Sequence, residues 1–563
     1  MQYCVYGNLA EPDSHVLAVL REWWDLTDST AWASFVTQRD ASPLPPTGSE
    51  HQAFLSTLDS SQPKLPVLWD HETQSVVATS THEIVAFWRE NFTSLPGPLP
   101  NDSTWTTSVR DELLQAIRNA GFAYHQSEYS EAFARVGELL ETLDNHLDTT
   151  RFLCSNESPS EADAWLFSVL VRFDLVYYGL YKSNPKRVVH YPNLSPYLRD
   201  LYQWSTTSST VEFEQIRNHH YWEDERINPK RLVPLGGTPE LNLFHNRARR
   251  FGVNNLRSLG TEDKSISRRQ KGEWVRGQSK LRSWITADGS SDFPAEPNRY
   301  HLYIANNCPW CHRVALARKL KGLDNLVSMD VLYYRRDPEF GWQFNPEIEG
   351  CTPDTVNGVR YIRELYERIG SKEKSVPVLW DKKTQTIVNN ESADIIRMFN
   401  SAFDAFTDVT LDLAPESLLG EIDEWNAFVY QHINNGAYKA GFASTQEAYN
   451  TSYKTFFAAM ERLDSALYRR KFLCGETLTE ADLRLFPTLF RFDHVYYTRF
   501  RLNHKMLREY PSLFRWFQEM LTIPGILEAS NLEHCKQGYF GRTGNNIVPI
   551  GPTFSLEQNT PTY

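Results

Sequence analysis

Cys308-Pro309-Trp310-Cys311-His312 is the stretch whose reading decides the fold. An apolar run, Tyr300-His-Leu-Tyr-Ile304, precedes it, and Arg313-Val-Ala-Leu-Ala-Arg-Lys-Leu320 follows it. The pattern predicts a strand, a tight turn and a helix. Cys308 then stands at the mouth of the helix, with Pro309 where a helix best tolerates proline. A thiol there faces unpaired backbone N–H groups and the positive end of the helix dipole. Both favour the thiolate, so its pKa is expected to fall and the sulfur to be a nucleophile near neutral pH.

The thioredoxin fold is the usual home of such a turn. Three other readings of the same letters compete with a redox or glutathione-linked cysteine. CxxCH also spells a c-type haem attachment site, but no signal peptide precedes it, and a strand and a helix frame it. Zinc needs about four ligands, and no second CxxC and no HxxxH occurs. Two inert cysteines at a helix start are the third.

At 563 residues the chain exceeds one hydrophobic core, and three or four domains are expected. Composition is that of a globular protein, 41% hydrophobic and 23% charged, and the net charge of −12 argues against nucleic acid and anionic membrane surfaces. No apolar run approaches the roughly 20 residues of a membrane span. The stretch from Met1 to Ser14 has no basic region and no long apolar core, so no secretory signal is expected. Seven cysteines are sparse and odd in number, which fits a reducing compartment, with the cytoplasm as the expected location.

The chain repeats itself. Leu65-Pro-Val-Leu-Trp-Asp70 returns as Val376-Pro-Val-Leu-Trp-Asp381, and Arg172-Phe-Asp-Leu-Val-Tyr-Tyr178 as Arg491-Phe-Asp-His-Val-Tyr-Tyr497. Ser160-Glu-Ala-Asp163 returns as Thr479-Glu-Ala-Asp482, Arg151-Phe-Leu-Cys154 as Lys471-Phe-Leu-Cys474, and Val233-Pro-Leu235 as Val548-Pro-Ile550. Near-constant offsets in one order mean a duplicated module.

Each copy reads as two parts. The first, in the second copy, alternates strands at 300–304, 326–333, 376–381 and 386–388 with helices from Pro309, near 360–369 and from Ser392. Pro377 suggests a cis turn. The second part is helical. Apolar residues recur at helical spacing in Leu419–Tyr430, and Thr479-x-x-Asp482 and Ser160-x-x-Asp163 read as helix N-caps. Between the copies, a polar stretch containing Arg247, Arg249, Arg250, Arg268 and Arg269 reads as a solvated linker.

The second copy, residues 271–563, resembles the xi-class glutathione transferases, also called glutathionyl-hydroquinone reductases. The resemblance is carried by Gly272-Glu-Trp-Val-Arg276 with Ser279 and Arg282-Ser-Trp-Ile-Thr286, by the Cys308–Arg313 turn, by Val376–Thr384 with Ile387–Ser392, and by Asn434-Asn-Gly-Ala-Tyr-Lys-Ala-Gly-Phe442. It implies α/β plus all-α architecture: two tandem glutathione-transferase-like modules, each a thioredoxin-like domain followed by a helical domain. The expected domains are 1–96, degenerate thioredoxin-like; 97–235, helical; 236–270, linker; 271–400, thioredoxin-like with an N-terminal extension and active; and 401–563, helical.

What the resemblance implies can be set against the chemistry of glutathione as co-substrate, with no metal. Glu391 pairs with the γ-glutamyl ammonium, and Ser392 at a helix start holds the carboxylate. The backbone of Val376, before Pro377, bonds the cysteinyl part, while Trp310 and Trp342 line the tripeptide. A plain core aromatic is the rival reading for Trp342, and an ordinary helix-start carboxylate for Glu391. The implied reaction is reductive deglutathionylation of a glutathionyl-hydroquinone or other aromatic conjugate. Cys308 thiolate attacks the glutathionyl sulfur, the ring carbon leaves and takes a proton, and a second glutathione releases oxidised glutathione. The leaving ring needs an acid; Tyr438 is the first candidate, Tyr539 the second and Tyr496 the third, with packing the rival reading for each. A glutaredoxin-like thiol–disulfide oxidoreductase and a non-catalytic scaffold remain the alternatives.

The chain departs from the family pattern. Cys311 stands where the family commonly has Ala, which makes it a candidate resolving thiol. Arg499-Phe-Arg-Leu-Asn503 and Gln537-Gly-Tyr-Phe540 differ where the family forms its aromatic-substrate pocket. In the first copy Cys308 falls on Glu11, Pro309 on Pro12, Cys311 on Ser14 and His312 on His15, while Glu391-Ser392 falls on Ser80-Thr81. Ile117–Ala123 lacks a counterpart of Tyr438. The first copy is therefore expected to be catalytically dead. An intramolecular pseudo-dimer or a homodimer is the expected assembly.

Overall fold

The computed structural model describes the chain except residues 1, 28, 36–45, 47–50, 57–64, 93, 94, 96–98, 205, 224, 244, 246, 252–280, 542–546 and 554–563. It divides into two compact units, Met1–Arg268 with Ile550–Thr553, and Arg269–Pro549 with Phe554–Tyr563.

Each unit contains one four-stranded mixed sheet of the same topology. In the first, Tyr3–Gly7 runs parallel to Thr30–Ser34 and antiparallel to Val67–Asp70, which pairs antiparallel with Ser75–Ala78. In the second, Tyr300–Ile304 runs parallel to Ser328–Val331 and antiparallel to Val378–Asp381, which pairs with Thr386–Asn389. A parallel pair needs a crossover, and the helices Pro12–Trp23 and Pro309–Leu320 begin it. Strands Val67–Asp70 and Val378–Asp381 are buried throughout, which is why their sequences read as unbroken apolar runs. The Leu65–Pro66 and Val376–Pro377 bonds ahead of them are cis, as expected at Pro377. The second-copy elements agree with the sequence reading, although the strand expected at 326–333 is shortened to Ser328–Val331.

The helical parts are organised by the repeated motifs. Asp163 Oδ2 accepts from Ser160 N at 2.9 Å, and its Oδ1 accepts from Leu153 N at 2.9 Å. Asp482 repeats this with Thr479 N at 3.1 Å and Leu473 N at 3.0 Å. One buried carboxylate thus caps a helix and ties down the Phe-Leu-Cys loop in each copy. Both capping helices run into π-helical turns, Phe173–Tyr177 and Phe492–Tyr496.

The linker reading fails for part of its length. Arg247–Arg250 forms a short helix, and Arg247 is buried with Nη1 donating to Leu147 O at 2.9 Å and Nη2 to Arg151 O at 2.6 Å. Leu147 is the C-cap residue of the helix Gln126–His146, and a guanidinium on its carbonyl suits the negative helix end. The remainder of that stretch from residue 252, with Arg268 and Arg269, lies outside the described residues, as do Gly272–Arg276 and Ser279. Arg282, by contrast, pairs with Asp394 at 2.6 Å. Among the described residues no helix is long and apolar enough to cross a membrane.

Candidate active site

Cys308 is the N-cap residue of the helix Pro309–Leu320, in extended backbone, with Pro309 in the first turn. Its sulfur is half-buried and lies 3.9 Å from the carbonyl of Val376. Cys311, one turn into the helix, is fully buried. Burial, and then its hydrogen bond to Cys308, push the Cys311 thiol well above the ordinary range. Cys311 therefore stays protonated and donates towards Cys308, which favours negative charge on the outer sulfur.

The start of the helix Ser392–Ser401 comes to the same place. Glu391 is its N-cap residue, with its carboxylate taking Ala393 N at 3.3 Å. Ser392 Oγ accepts from Arg313 Nε at 3.0 Å and Nη2 at 2.7 Å. Arg313 Nη2 is also 3.7 Å from Glu391, and its guanidinium carbon lies 4.7 Å from the centre of the Trp310 ring. Arg313 is buried one turn after Pro309 and so locks the two helix starts together. Sequence reasoning quoted Arg313 inside the motif without giving it a role. A cation buried beside Ser392 and the helix N-terminus give this end a positive field, which favours an anion.

Three tyrosines converge. The hydroxyls of Tyr438 and Tyr539 hydrogen-bond each other, and Tyr496 Oη lies 3.2 Å from Tyr539 Oη. Burial, followed by the neighbouring phenols, holds Tyr496 and Tyr539 well above the ordinary phenol range, so both are proton carriers at neutral pH. Arg491, just before the π turn that carries Tyr496, donates to Asn307 O at 3.2 Å and Asn306 O at 2.7 Å. It thereby fixes the turn immediately before Cys308. Its role was not read from the sequence, although the Arg-Phe-Asp repeat was a signal for it.

Two segments expected to shape the aromatic pocket pack against the tyrosines. Arg499 Nε donates to Tyr539 O at 3.1 Å. A side chain at Gly538 would meet Asn307 at 2.3 Å, so glycine permits the close approach of the Leu532–Phe540 helix to the Cys308 turn. Trp342 is buried, and Arg336 lies 5.3 Å above its ring.

The first unit keeps the scaffold and carries Glu11, Ser14, Ser80 and Thr81 where the second has Cys308, Cys311, Glu391 and Ser392. Arg172 donates to Ala10 O, Leu9 O and His15 Nδ1 at 3.1, 2.7 and 2.9 Å. Glu11 is the N-cap residue where Cys308 stands, and its carboxylate pairs with His219 at 2.7 Å. Burial raises Glu11, but the His219 hydrogen bond and charge, with His220 and Arg172, bring it down to about 2. Arg118, placed where Gly121-Phe-Ala123 aligns with Gly441-Phe-Ala443, occupies the Tyr438 position and lies 3.7 Å from Asp13. Ser80 caps its own helix by accepting from Glu83 N, and Thr81 Oγ1 donates to Asp13 O.

Among the described residues no cluster of His, Cys, Asp and Glu is arranged to hold a metal.

The glutathione S-transferase C-terminal domain family matches residues 126–200 and 446–519, one match in each copy, and the glutathione S-transferase N-terminal domain family matches residues 307–402. The chain is 42% identical over 303 residues to glutathionyl-hydroquinone reductase YqjG of Escherichia coli K12, covering 51% of this chain and 91% of that protein. It is 40% identical over 292 residues to glutathionyl-hydroquinone reductase PcpF of Sphingobium chlorophenolicum, covering 51% and 91%. Among solved structures, the glutathione-bound structure of YqjG aligns with a TM-score of 0.48 at 41% identity, over 50% of this chain and 94% of that one.

Proposed function

The chain belongs to the xi-class glutathione transferases, the glutathionyl-hydroquinone reductases, and from that premise we propose that its second module removes glutathione from glutathionyl-hydroquinones through a mixed disulfide on Cys308. The observation that carries this reading is that Arg313, on the helix that Cys308 caps, bonds Ser392 and lies 3.7 Å from Glu391 at the start of the helix Ser392–Ser401, while the Cys308 sulfur lies against the carbonyl of Val376. That link between the two helix starts supports a nucleophilic sulfur and a γ-glutamyl site acting on one ligand.

Cys308 thiolate attacks the glutathionyl sulfur. A sulfur–sulfur bond forms, the sulfur–carbon bond breaks, and the ring carbon takes a proton from the tyrosine cluster. The two sulfurs are oxidised and the ring is reduced. A second glutathione thiolate attacks the mixed disulfide, releases oxidised glutathione and restores Cys308. Tyr438 is assigned as the proton donor, with Tyr539 bonded to its hydroxyl and Tyr496 bonded in turn to Tyr539. Val376 and Pro377 supply the backbone edge for the cysteinyl part, and Trp310 and Trp342 the walls.

A glutaredoxin-like dithiol route is the second reading, because Cys311 is hydrogen-bonded to Cys308. Its burial and raised pKa favour the role of donor to Cys308 over that of attacking thiolate. The first module is assigned no thiol chemistry, since a carboxylate at Glu11 repels a glutathione thiolate. The seven free cysteines fit a reducing compartment such as the cytoplasm. Duplication of a module supports assembly as an intramolecular pseudo-dimer or a homodimer, which the mass of the full chain in light scattering decides.

The test is glutathione release from glutathionyl-menadiol and from a glutathionylated peptide, measured side by side on the full chain. Faster turnover of the aromatic conjugate is expected. Turnover of the peptide alone overturns the reading in favour of the dithiol route.

A further inference from the structure

Glutathione carries a carboxylate at each end. The γ-glutamyl end has Ser392, the helix start and Arg313; the glycyl end has so far been given no cation. This inference rests on the glutathione reading of the pocket.

Asp337 and Gly341 close a tight turn by exchanging backbone hydrogen bonds, Asp337 N to Gly341 O at 2.7 Å and Gly341 N to Asp337 O at 3.1 Å. Gly341 has φ of +85°, a left-handed conformation that glycine adopts without strain. Asp337 Oδ1 accepts from Glu339 N at 2.9 Å and Phe340 N at 2.7 Å, which stiffens the turn from inside. Arg336 and Trp342 flank it on opposite stems, so the guanidinium is held 5.3 Å over the indole. The Arg336 side chain is exposed; partial desolvation lowers its pKa, and the charge of Cys308 acts in the opposite direction. Among the described residues no carboxylate is within ion-pair distance of Arg336. Arg313 and Arg491, the buried cations of the pocket, already hold Ser392 and the Asn306-Asn307 carbonyls. Two more cations lie beside this turn: Lys374, with its Cδ 3.5 Å from the Cβ position of Gly341, and Arg363, whose guanidinium carbon stands 4.2 Å from the centre of the Phe340 ring.

We propose that Arg336 is the cation that takes the glycyl carboxylate of glutathione, with Trp342 stacking beneath its guanidinium. The planar fork matches a carboxylate in two-point geometry, and the indole face holds the fork without competing for its N–H donors. Arg336 then discriminates glutathione from the same thiol lacking glycine.

Binding of glutathione and of γ-glutamylcysteine to the full chain is measured by calorimetry under reducing conditions. The wild-type chain should prefer glutathione by about tenfold, as expected for a charge-assisted pair. R336Q should weaken glutathione about tenfold and leave γ-glutamylcysteine unchanged, so that the preference disappears. R336K should restore part of it, and K374Q should leave it intact. Equal weakening of both ligands by R336Q, no change in either, or loss of the preference in K374Q instead overturns the assignment. A wild-type chain that binds γ-glutamylcysteine as tightly as glutathione overturns the glycyl site alone. A wild-type chain that binds neither overturns the glutathione reading with it.

Discussion

Arg491 Nη1 donates to Nδ1 of His312 at 2.9 Å. That bond fixes the imidazole tautomer: Nε2 carries the proton and donates to Ser530 Oγ at 2.8 Å, which in turn donates to Ile526 O at 2.6 Å. Burial, with the Arg491 charge, keeps His312 neutral. Arg172, His15, Thr210 and Thr207 O repeat the chain in the first module at 2.9, 3.1 and 2.8 Å. The relay is kept where Glu11 stands in place of Cys308, so its first duty is to hold the turn that precedes the helix. R491M leaves a buried imidazole and two turn carbonyls without their donor and should cost about 1–3 kcal/mol for each group left unsatisfied. R491K keeps the charge but cannot reach all of these acceptors. In R491K, kcat should fall while KM for glutathione moves little, because the Cys308 turn is displaced and the Ser392 end is not. Denaturant unfolding and steady-state kinetics check both; an R491M chain as stable as wild type sinks the argument.

Cys308 and Cys311 should separate cleanly. C308S abolishes thiol transfer, since a serine hydroxyl is not ionised near neutral pH. C311S leaves hydroquinone reduction mostly intact and keeps a donor to Cys308. C311A removes the donor and should raise the pKa of Cys308, read from the pH dependence of iodoacetamide alkylation. If C311S is as dead as C308S, the dithiol route is correct.

In the proposed glutathione site Glu391 pairs with the substrate ammonium, and its carboxylate lies 3.7 Å from Arg313. E391A leaves that ammonium unpaired, at about 1–3 kcal/mol. Glutathione affinity of the full chain should fall about tenfold or more. Unchanged affinity by calorimetry would remove Glu391 from the site.

The tyrosine cluster should show one donor and two supports. Y438F should slow release of the ring about a hundredfold or more, the scale of a lost general acid. Resolution of the mixed disulfide should be unaffected, because glutathione carries it. Y539F should have a smaller effect, by releasing the Tyr438 hydroxyl. Because burial and their neighbours hold Tyr496 and Tyr539 above the ordinary phenol value, these phenols stay protonated up to pH 10 and their ionisation should not limit activity below it. A larger loss in Y539F than in Y438F would exchange the two roles.

What the sequence made legible followed from spacing. The strand–turn–helix around Cys308, the cis turn at Pro377 and the helix starts at Ser392 and Thr479 each had a local signal. The helix start at Ser392 had its own signal, while the roles expected of Glu391 and Ser392 came from the family resemblance. Arg313 and Arg491 were on the page as motif letters, but their partners, Ser392 and the Asn306-Asn307 carbonyls, are brought in by tertiary packing from 79 to 185 positions away. Arg247 was misread for the same reason: its carbonyl partners lie about a hundred residues earlier. A polar composition cannot tell a solvated arginine from one that caps a helix. The loss of chemistry at Glu11 was legible by alignment, while the His219 that neutralises it was not.

That ion pair gives the first module a pH signature. Glu11 is depressed from an ordinary 4.5 to about 2, so its contribution to stability is present above pH 4.5 and is lost as pH falls towards 2. Buried His15 and His220 are held neutral, well below 6.5, so unfolding takes up protons on them and stability already declines as pH drops below 6.5. Two regimes are therefore expected. Hydrogen exchange of the helix Pro12–Trp23 in the full chain should quicken moderately from pH 6.5 to 4.5, after correction for intrinsic rates, and more steeply below 4.5. E11Q should exchange faster than wild type at pH 7, because His219 loses its partner, and should lose the steeper acid limb. H219Q should do the same from the other side of the pair. An E11Q chain that keeps the wild-type acid limb, or that is better protected at pH 7, would show that the Glu11–His219 pair does not stabilise the module.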